Sequence, residues 1–274
     1  MIKDLDISDL RTITEVIKKT HSYDFTNYAM SSLKRRIVRV LENYKISVET
    51  LISRLQNQEG FIEEFLTEIT VNVTEMFRDP SFWLALKKEV IPSILVNHEN
   101  FKIWHAGCSS GEEVYSMAIL LKEMGILDKV TLFASDIDPV ILDRAKKGEY
   151  PLKNMELNEK NYIRFEGATS LKDYYTEKDG KAIMDKSLAQ AVTFKKHDLV
   201  NGPAFTKVDL ILCRNVMIYF NQKLQNDVLN KFHSSLFKYG YLAIGSKESL
   251  IWCDIVKKFI LVNNEEKVYR KIKD

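Results

Sequence analysis

Apolar residues recur along this chain at two different spacings. Between Ser8 and about Glu68 they lie three to four positions apart, which is the period of helices that each bury one face. The clearest stripe consists of Leu33, Ile37, Val40, Leu41 and Tyr44. The same part contains no proline. We therefore predict four short helices, with Ser8 and Ser31 as N-caps of two of them, and a small all-helical domain over residues 1–70.

Beyond about Pro92, short apolar runs alternate with segments of helical spacing. The predicted strands are Phe101–Ala106, Val130–Ser135, Ala191–Lys195, Val208–Cys213 and Tyr241–Gly245. The predicted helices between them are Glu112–Met124, Pro139–Lys147 and Gln222–Phe237. This alternation is typical of an α/β fold, a Rossmann-like, doubly wound parallel sheet with helices on both faces. We expect this second domain to occupy residues 71–274.

The segment from Tyr150 to Gln190 interrupts the alternation. It is polar, it carries the turn-like sequence Lys178-Asp179-Gly180-Lys181, and it is longer than an ordinary loop. We predict a small β-subdomain inserted there, at about residues 150–190, with a short antiparallel hairpin.

Charge and cysteine content exclude several classes of protein. Forty Lys and Arg residues against thirty-eight Asp and Glu residues give a formal charge of +2, so nucleic-acid binding by bulk charge is not expected. The three cysteines (Cys108, Cys213 and Cys253) are too widely spaced for a zinc module or a disulfide framework. No apolar run approaches the roughly 20 residues of a membrane span, and the first residues do not resemble a signal peptide. We expect a cytoplasmic protein with no metal site and no membrane insertion.

Small and acidic residues follow the first predicted strand. The loop Gly107–Gly111 leads into a helix that begins with Glu112 and Glu113, and ligands of doubly wound sheets bind at this edge. Two carboxylates at the helix start would compete with a pyrophosphate for the positive helix end. The loop therefore favours a ligand with positive charge and no phosphate. A plain strand-to-helix turn is the alternative.

Polar residues also follow the other predicted strands. Asp136 ends the second strand, where a carboxylate accepts both hydroxyls of a ribose, and Asp138 is placed to cap the helix at Pro139. The alternative is that either acid only caps this helix. Asp198 follows the third strand, where an adenine amino group could donate to it, and Arg214 follows the fourth.

Four strings in this order extend over nearly the whole chain: N-V-T-E-M-F-R-D-P (72–80), I-W-H-A-G-C-S-S-G-E-E-V-Y-S (103–116), A-S-D-I-D-P (134–139) and L-I-L-C-R-N-V-M-I-Y-F (210–220). They resemble the S-adenosylmethionine (AdoMet)-dependent methyltransferases, and more narrowly the CheR-type chemotaxis receptor methyltransferases, which are protein-glutamate O-methyltransferases. Met76 and Val114 depart from the family pattern, where Phe and Pro are usual. Neither departure removes a group that the chemistry requires.

The resemblance implies a helical domain, a Rossmann-like catalytic domain and an inserted β-subdomain. It implies methyl transfer from AdoMet to glutamate side chains of chemoreceptors, with S-adenosylhomocysteine (AdoHcy) as product. The cofactor contacts that it implies are Asn72, Thr74, Arg78, Glu113, Asp136, Asp198, Leu199, Arg214 and Asn215. The substrate-side residues that it implies are Arg78 and Tyr219.

This chemistry needs no general base, because a glutamate side chain with a pKa near 4.3 is already a carboxylate at neutral pH. Arg78 could orient the carboxylate of the substrate or of the cofactor, or it could form a salt bridge with Asp79 or Glu75. Tyr219 could donate its phenol to the reacting carboxylate, or it could merely pack beside Phe220.

A cluster of basic residues predicts how the protein binds its receptor partner. Arg35, Arg36 and Arg39 are expected on the side of their helix opposite the apolar stripe, where they would align an acidic receptor helix. An ordinary solvated face is the alternative. By the resemblance, the insertion is a candidate for holding a peptide tail of the receptor by strand addition. We expect a monomer.

Two other functions stay open: a methyltransferase acting on another protein or a small molecule, and a regulatory module that binds AdoMet without catalysis.

Overall fold

The first part of the molecule is a helical bundle, seen in a computed structural model that describes residues 5–70 and 74–274. Its helices are α1 (Ile7–His21), α2 (Met30–Tyr44), α3 (Val48–Asn57) and α4 (Phe61–Ile69). Their apolar stripes meet in one buried core, to which Ile13, Ile37, Leu51 and Phe65 contribute fully buried side chains. The predicted helices are therefore confirmed.

Both predicted N-caps are wrong. Helix α1 begins after Asp6, whose carboxylate accepts a hydrogen bond from the Asp9 amide, while the Asp9 carboxylate accepts one from the Asp6 amide. Helix α2 begins after Ala29, which has no capping side chain. The Ala29 amide instead donates to the Tyr219 carbonyl oxygen at 2.8 Å. Since this contact joins segments 190 residues apart in sequence, the local pattern around Ser31 does not reveal it.

The second part is built on strands. They are β1 (Phe101–Ala106), β2 (Val130–Asp136), β3 (Glu149–Pro151), β4 (Tyr175–Lys178), β5 (Lys181–Met184), β6 (Val192–Lys196), β7 (Val208–Cys213), β8 (Leu236–Ile244), β9 (Phe259–Asn263) and β10 (Val268–Lys271). Seven of these strands form one sheet in the order β6-β2-β1-β7-β8-β10-β9. The first five in this order are parallel, as predicted, and β10 is antiparallel to both β8 and β9.

Helices cover the two faces of this sheet. They are α5 (Pro80–Ala85), α6 (Ile91–Leu95), α7 (Glu112–Glu123), α8 (Pro139–Lys147), α9 (Leu152–Arg164), α10 (Lys186–Ala189) and α11 (Gln222–Ser235). Successive strand residues enter different cores, Ile103 on one face and Trp104 on the other. Across residues 5–70 and 74–274, no helix is both long enough and apolar enough to cross a bilayer.

The predicted insertion contains a second, three-stranded sheet in the order β3-β5-β4. Strands β4 and β5 form the predicted antiparallel hairpin, whose turn places Asp179 and Gly180 at φ values of 51° and 72°. The same segment contains α9, which was not predicted. This helix buries only a narrow stripe (Met155, Asn158, Asn161 and Tyr162), half of it polar, so its hydrophobic period is weak.

The strand order determines where a ligand is bound. Strand β1 lies between β2 and β7, and the chain leaves β1 to one side and returns to β7 on the other. Connections that diverge in this way leave a crevice at the carboxyl ends of the central strands.

Candidate active site

A cavity of about 320 Å³ lies at this crevice, within the usual size range of small-molecule sites. The loops after β1, β2 and β7 form one side of it, and residues 25–36 of the helical bundle contribute to the other. The predicted site residues that line it are Thr74, Arg78, Glu113, Asp136, Asp198, Leu199, Arg214, Asn215 and Tyr219. Asn72 lies outside the described residues. All of the described predicted positions therefore meet in one place.

The glycine loop after β1 is held tightly against the neighbouring strands. The amides of Gly107 and Cys108 both donate to the Ser135 carbonyl oxygen, at 2.8 and 2.9 Å. Gly107 has a φ of +78°, and a Cβ added to it would lie 2.7 Å from Val216 Cγ2. Any other residue would be strained and would push this loop away from the loop after β7.

Asp136 and Asp138 have separate roles in the structure. Each carboxylate oxygen of Asp136 accepts one backbone amide, from Ser109 at 2.9 Å and from Asp138 at 3.1 Å, and keeps accepting capacity toward the cavity. Burial raises the pKa of Asp136 to about 6, although these amide hydrogen bonds act to lower it. Asp138 caps α8 through the amides of Val140 and Ile141, as predicted. The binding role of Asp136 stays a prediction.

His105, Glu113, Arg214 and Asp79 form a connected polar chain at the wall of the cavity. His105 Nδ1 lies 2.9 Å from Glu113 Oε1, Arg214 Nη1 donates to Glu113 Oε2 at 3.4 Å, and Arg214 Nη2 donates to Asp79 Oδ2 at 2.6 Å. The Arg214 guanidinium also stacks 3.9 Å from the centre of the Phe82 ring. Burial alone would raise the pKa of Glu113, but the hydrogen bond from His105 and the charge of Arg214 lower it.

These ion pairs give two of the predicted cofactor contacts a second role. Glu113 and Arg214 line the cavity, but they also pair with each other, so they hold the site in shape in addition to facing a ligand. His105 was not predicted as a site residue. Asp79 was predicted only as a possible partner for Arg78, whereas the structure pairs Asp79 with Arg214.

Arg78 presents its guanidinium to the cavity. In the described part of the chain, no hydrogen bond or ion pair occupies this group; only its carbonyl oxygen is engaged, by Trp83 Nε1 at 2.9 Å. The predicted alternative, a salt bridge to Asp79 or Glu75, is therefore not formed. Asp79 has a φ of +54° and its carboxylate pairs with Arg214 instead.

Asp198 and Leu199 lie where the third parallel strand, β6, approaches the cavity. The Asp198 carboxylate accepts the Val200 amide at 2.7 Å and the Asn201 side-chain amide at 3.1 Å. These bonds fix its own turn and leave further lone pairs for a ligand. Leu199 adds a buried apolar surface beside it.

Glu248 organises the loop after β7. Its buried carboxylate accepts the backbone amides of Gly245 at 2.6 Å, Asn215 at 3.1 Å and Ile218 at 3.0 Å. Burial raises the pKa of Glu248, and the amide hydrogen bonds oppose this rise. Asn215 needs such support because its φ is +62°, an uncommon conformation for a residue other than glycine. Glu248 was not predicted as a site residue.

Arg36 is not part of an exposed basic face. Arg35 and Arg39 are exposed, as predicted, but Arg36 is half-buried and lines the cavity. Its guanidinium carbon lies 4.1 Å from the centre of the Tyr219 ring, and Nη1 donates to the Ile69 carbonyl oxygen at 2.6 Å. The error has a simple cause: at 3.6 residues per turn, Arg36 lies beside Val40 at the border of the apolar stripe, not opposite it.

Tyr28 is a second cavity residue from the helical bundle that the sequence did not reveal. It contacts the rings of Phe25 and Phe220 edge-on, with centroids 4.8 and 5.1 Å away. Burial raises the pKa of Tyr28, and the charges of Asp198 and Asp136 raise it further. The tyrosine therefore lies near the two carboxylates predicted to bind adenosine.

The residues fit the cofactor that the resemblance implies. The cavity combines carboxylates for a diol and an amino group (Asp136, Asp198 and Glu113) with the guanidinium of Arg78 for a carboxylate. Among the described residues, Arg214 Nε and Arg36 Nη2 are buried nitrogens without a hydrogen-bond partner. Buried donors normally have partners, so a polar ligand at this place would complete the site.

Comparisons with known proteins cover both parts of the chain. The family model "CheR methyltransferase, SAM binding domain" matches residues 72–268, and the model "CheR methyltransferase, all-alpha domain" matches residues 8–70. The chain is 42% identical to the Cher3 protein of Pseudomonas putida over 264 residues, 96% of either chain. It is 34% identical to a chemotaxis protein methyltransferase of Listeria innocua and 33% identical to that of Listeria monocytogenes, each over 92% of this chain and 93% of the relative.

Proposed function

The chain belongs to the CheR methyltransferase family, and from that premise we propose that it methylates glutamate side chains of chemoreceptors. It is an AdoMet-dependent methyltransferase. The observation that supports a carboxylate substrate is the pair of guanidinium groups, Arg78 and Arg36, which face one cavity and have no carboxylate partner among the described residues. The reaction brings two carboxylates together, one on the cofactor and one on the substrate.

We assign the cofactor end of the cavity to the residues after the parallel strands. Asp136 accepts the ribose hydroxyls, and Asp198 and Leu199 hold the adenine. Tyr28 adds an aromatic surface and a hydroxyl on the adenosine side. Arg78 binds the cofactor carboxylate, and Thr74, Glu113, Arg214 and Asn215 contact its amino-acid part. The family resemblance alone assigns the same role to Asn72.

We assign the substrate end to Arg36 and Tyr219. Their side chains are stacked, so one substrate carboxylate can accept hydrogen bonds from both the guanidinium and the phenol. Bound by these residues, AdoMet would supply an electrophilic methyl group on a positively charged sulfur, and AdoHcy would be the leaving group. The protein contributes alignment and exclusion of water, worth up to roughly 7–11 kcal/mol for well-oriented reactants.

Replacing Arg36 by methionine tests the substrate assignment. We expect kcat/KM for receptor methylation to fall roughly 100-fold, because charge-assisted hydrogen bonds to the carboxylate are lost. The affinity for AdoHcy should change little, since we assign Arg36 to the substrate end of the cavity. Initial rates with labelled AdoMet measure the first quantity and calorimetry the second.

Arg39→Met is the matched control, since it removes an exposed arginine from the same helix. It should change only the salt-dependent KM for the receptor. An equal loss of activity in both variants would show that Arg36 acts only as part of a basic surface.

The proposed activity is tested by incubating the chain with tritiated AdoMet and chemoreceptor-containing membranes, followed by treatment with base. A glutamate methyl ester hydrolyses and releases its label as volatile methanol. Label that stays on protein after base treatment would contradict transfer to glutamate.

We also propose how the protein contacts the receptor and how its domains are organised. The exposed Arg35 and Arg39 attract the acidic receptor surface, and the inserted sheet accepts a receptor peptide along an edge strand such as β4. The protein acts in the cytoplasm as a monomer. Residues 1–70 form the helical domain and residues 71–274 the catalytic domain, with the β-subdomain within about 150–190.

A further inference from the structure

Three large apolar side chains are exposed on the two loops that also contribute residues to the cavity. Ile218, Ile251 and Trp252 expose 42%, 70% and 79% of their surface; we refer to them as the rim patch. An exposed side chain is common, but a group of this kind beside an active site is characteristic of a binding surface.

Buried neighbouring residues and two hydrogen bonds fix the position of the rim patch. Leu250 and Cys253 point inward and are buried, so the two residues between them point outward. Gln222 Nε2 donates to the Trp252 carbonyl oxygen at 2.9 Å. At the other end of the loop, Glu248 accepts the Ile218 amide at 3.0 Å. The patch is therefore a preformed surface, which reduces the entropy lost on binding.

Both loops that carry the rim patch also contribute to the active site. Ile218 and Lys247 line the cavity itself, and Ile251 and Trp252 follow Lys247 on the same loop. A helix with its side chains is only about 10–12 Å across. A substrate helix that delivers a glutamate to the cavity therefore lies against the cavity mouth, to which Ile218 and Lys247 contribute.

We propose that the rim patch binds the apolar side of the chemoreceptor helix that carries the target glutamate. This inference rests on the proposed function and adds a specificity determinant to it. Lys247 places a positive charge between the patch and the cavity, which suits a helix that has an acidic strip beside an apolar one. The patch thus selects a glutamate on an amphipathic helix over a free or fully polar peptide.

Trp252→Ala tests the inference with chemoreceptor-containing membranes as the substrate. We expect the KM for the receptor to rise about tenfold, as on loss of a tryptophan anchor, with kcat and AdoHcy affinity unchanged. Trp252→Phe should restore most of the loss. Tyr239→Ala is the matched control, because it removes another exposed aromatic ring from β8, toward the end of that strand remote from the cavity, and should leave KM unchanged.

Three outcomes would overturn the inference. An unchanged KM in Trp252→Ala, with active wild-type protein, would overturn it and leave the proposed function standing. A wild-type dimer that Trp252→Ala converts to a monomer at unchanged KM would assign the patch to a second copy of the chain. Wild-type protein that binds AdoHcy but methylates no receptor would overturn both proposals.

Discussion

Replacing Arg214 by methionine is expected to lower the free energy of unfolding by about 3 kcal/mol, toward the lower end for breaking a buried ion pair. The side chain of Arg214 is 3% exposed and pairs with both Glu113 and Asp79. Its loss leaves two carboxylates without their cation in a poorly hydrated place. Asp79 retains 37% exposure and partly rehydrates, which keeps the cost near 3 kcal/mol. Urea denaturation measures the change.

The loss in the free energy of unfolding of Arg214→Met should depend on pH. In the wild type, His105 and Arg214 lower the pKa of Glu113 against the effect of burial. Without Arg214 the pKa of Glu113 rises, so its protonation relieves the unpaired charge as the pH falls. The stability difference between variant and wild type should therefore be largest where Glu113 is ionised in both proteins, and it should shrink as falling pH protonates Glu113 in the variant.

Lys122→Met is the matched control for Arg214→Met. It removes a cation from the ion pair with Asp185, in which both side chains are about 40% exposed. It should lower the free energy of unfolding by no more than about 1 kcal/mol at any pH. A similar small cost in Arg214→Met would mean that the polar chain at the wall of the cavity does not stabilise the fold.

The sequence predicted best those elements whose pattern is local. Strands β1 and β7 match their predicted bounds because both are central strands of a parallel sheet and read as short apolar runs between polar residues. Helix α8 also matches, since Asp138, Pro139 and Gly148 mark its two ends. Strand β9 was missed because it is an edge strand with exposed Ile260, Leu261 and Val262 and no buried alternation. Strand β10, which has only four residues, was missed as well.

The pattern of strands and helices predicted the site only where it follows the parallel strands, and Thr74 and Arg78 were predicted from the family resemblance. Asp136, Asp198 and Arg214 follow strands whose ends meet at one edge, so their proximity follows from the fold class. Glu248 lies 33 residues from Asn215 in sequence, and Tyr28 and Arg36 come from another part of the chain. A local sequence pattern does not predict contacts between such distant segments. Arg36 is a partial exception, since its helical position already places it beside Val40.

Replacing Asp136 by alanine is expected to weaken AdoHcy binding about 1,000-fold, a loss of about 4 kcal/mol. Two charge-assisted hydrogen bonds to the ribose diol, each worth about 1.5–3 kcal/mol, account for this size. Isothermal titration calorimetry measures the affinity. Asp143→Ala, which removes an exposed acid from the neighbouring helix α8, is the control and should bind AdoHcy normally. Undiminished binding in Asp136→Ala would disprove the ribose assignment.

The pH dependence of the same affinity tests the charge state of Asp136. Burial raises its pKa to about 6 in the free protein, while the ligand hydroxyls donate best to the ionised carboxylate. Binding then requires proton release below pH 6, so wild-type affinity should fall by up to about tenfold per pH unit from pH 6 to 5. Asp136→Ala lacks this titration, and its weaker affinity should fall less over that range. Parallel pH profiles would place the titrating group elsewhere, because Asp136 is the group that the two proteins do not share.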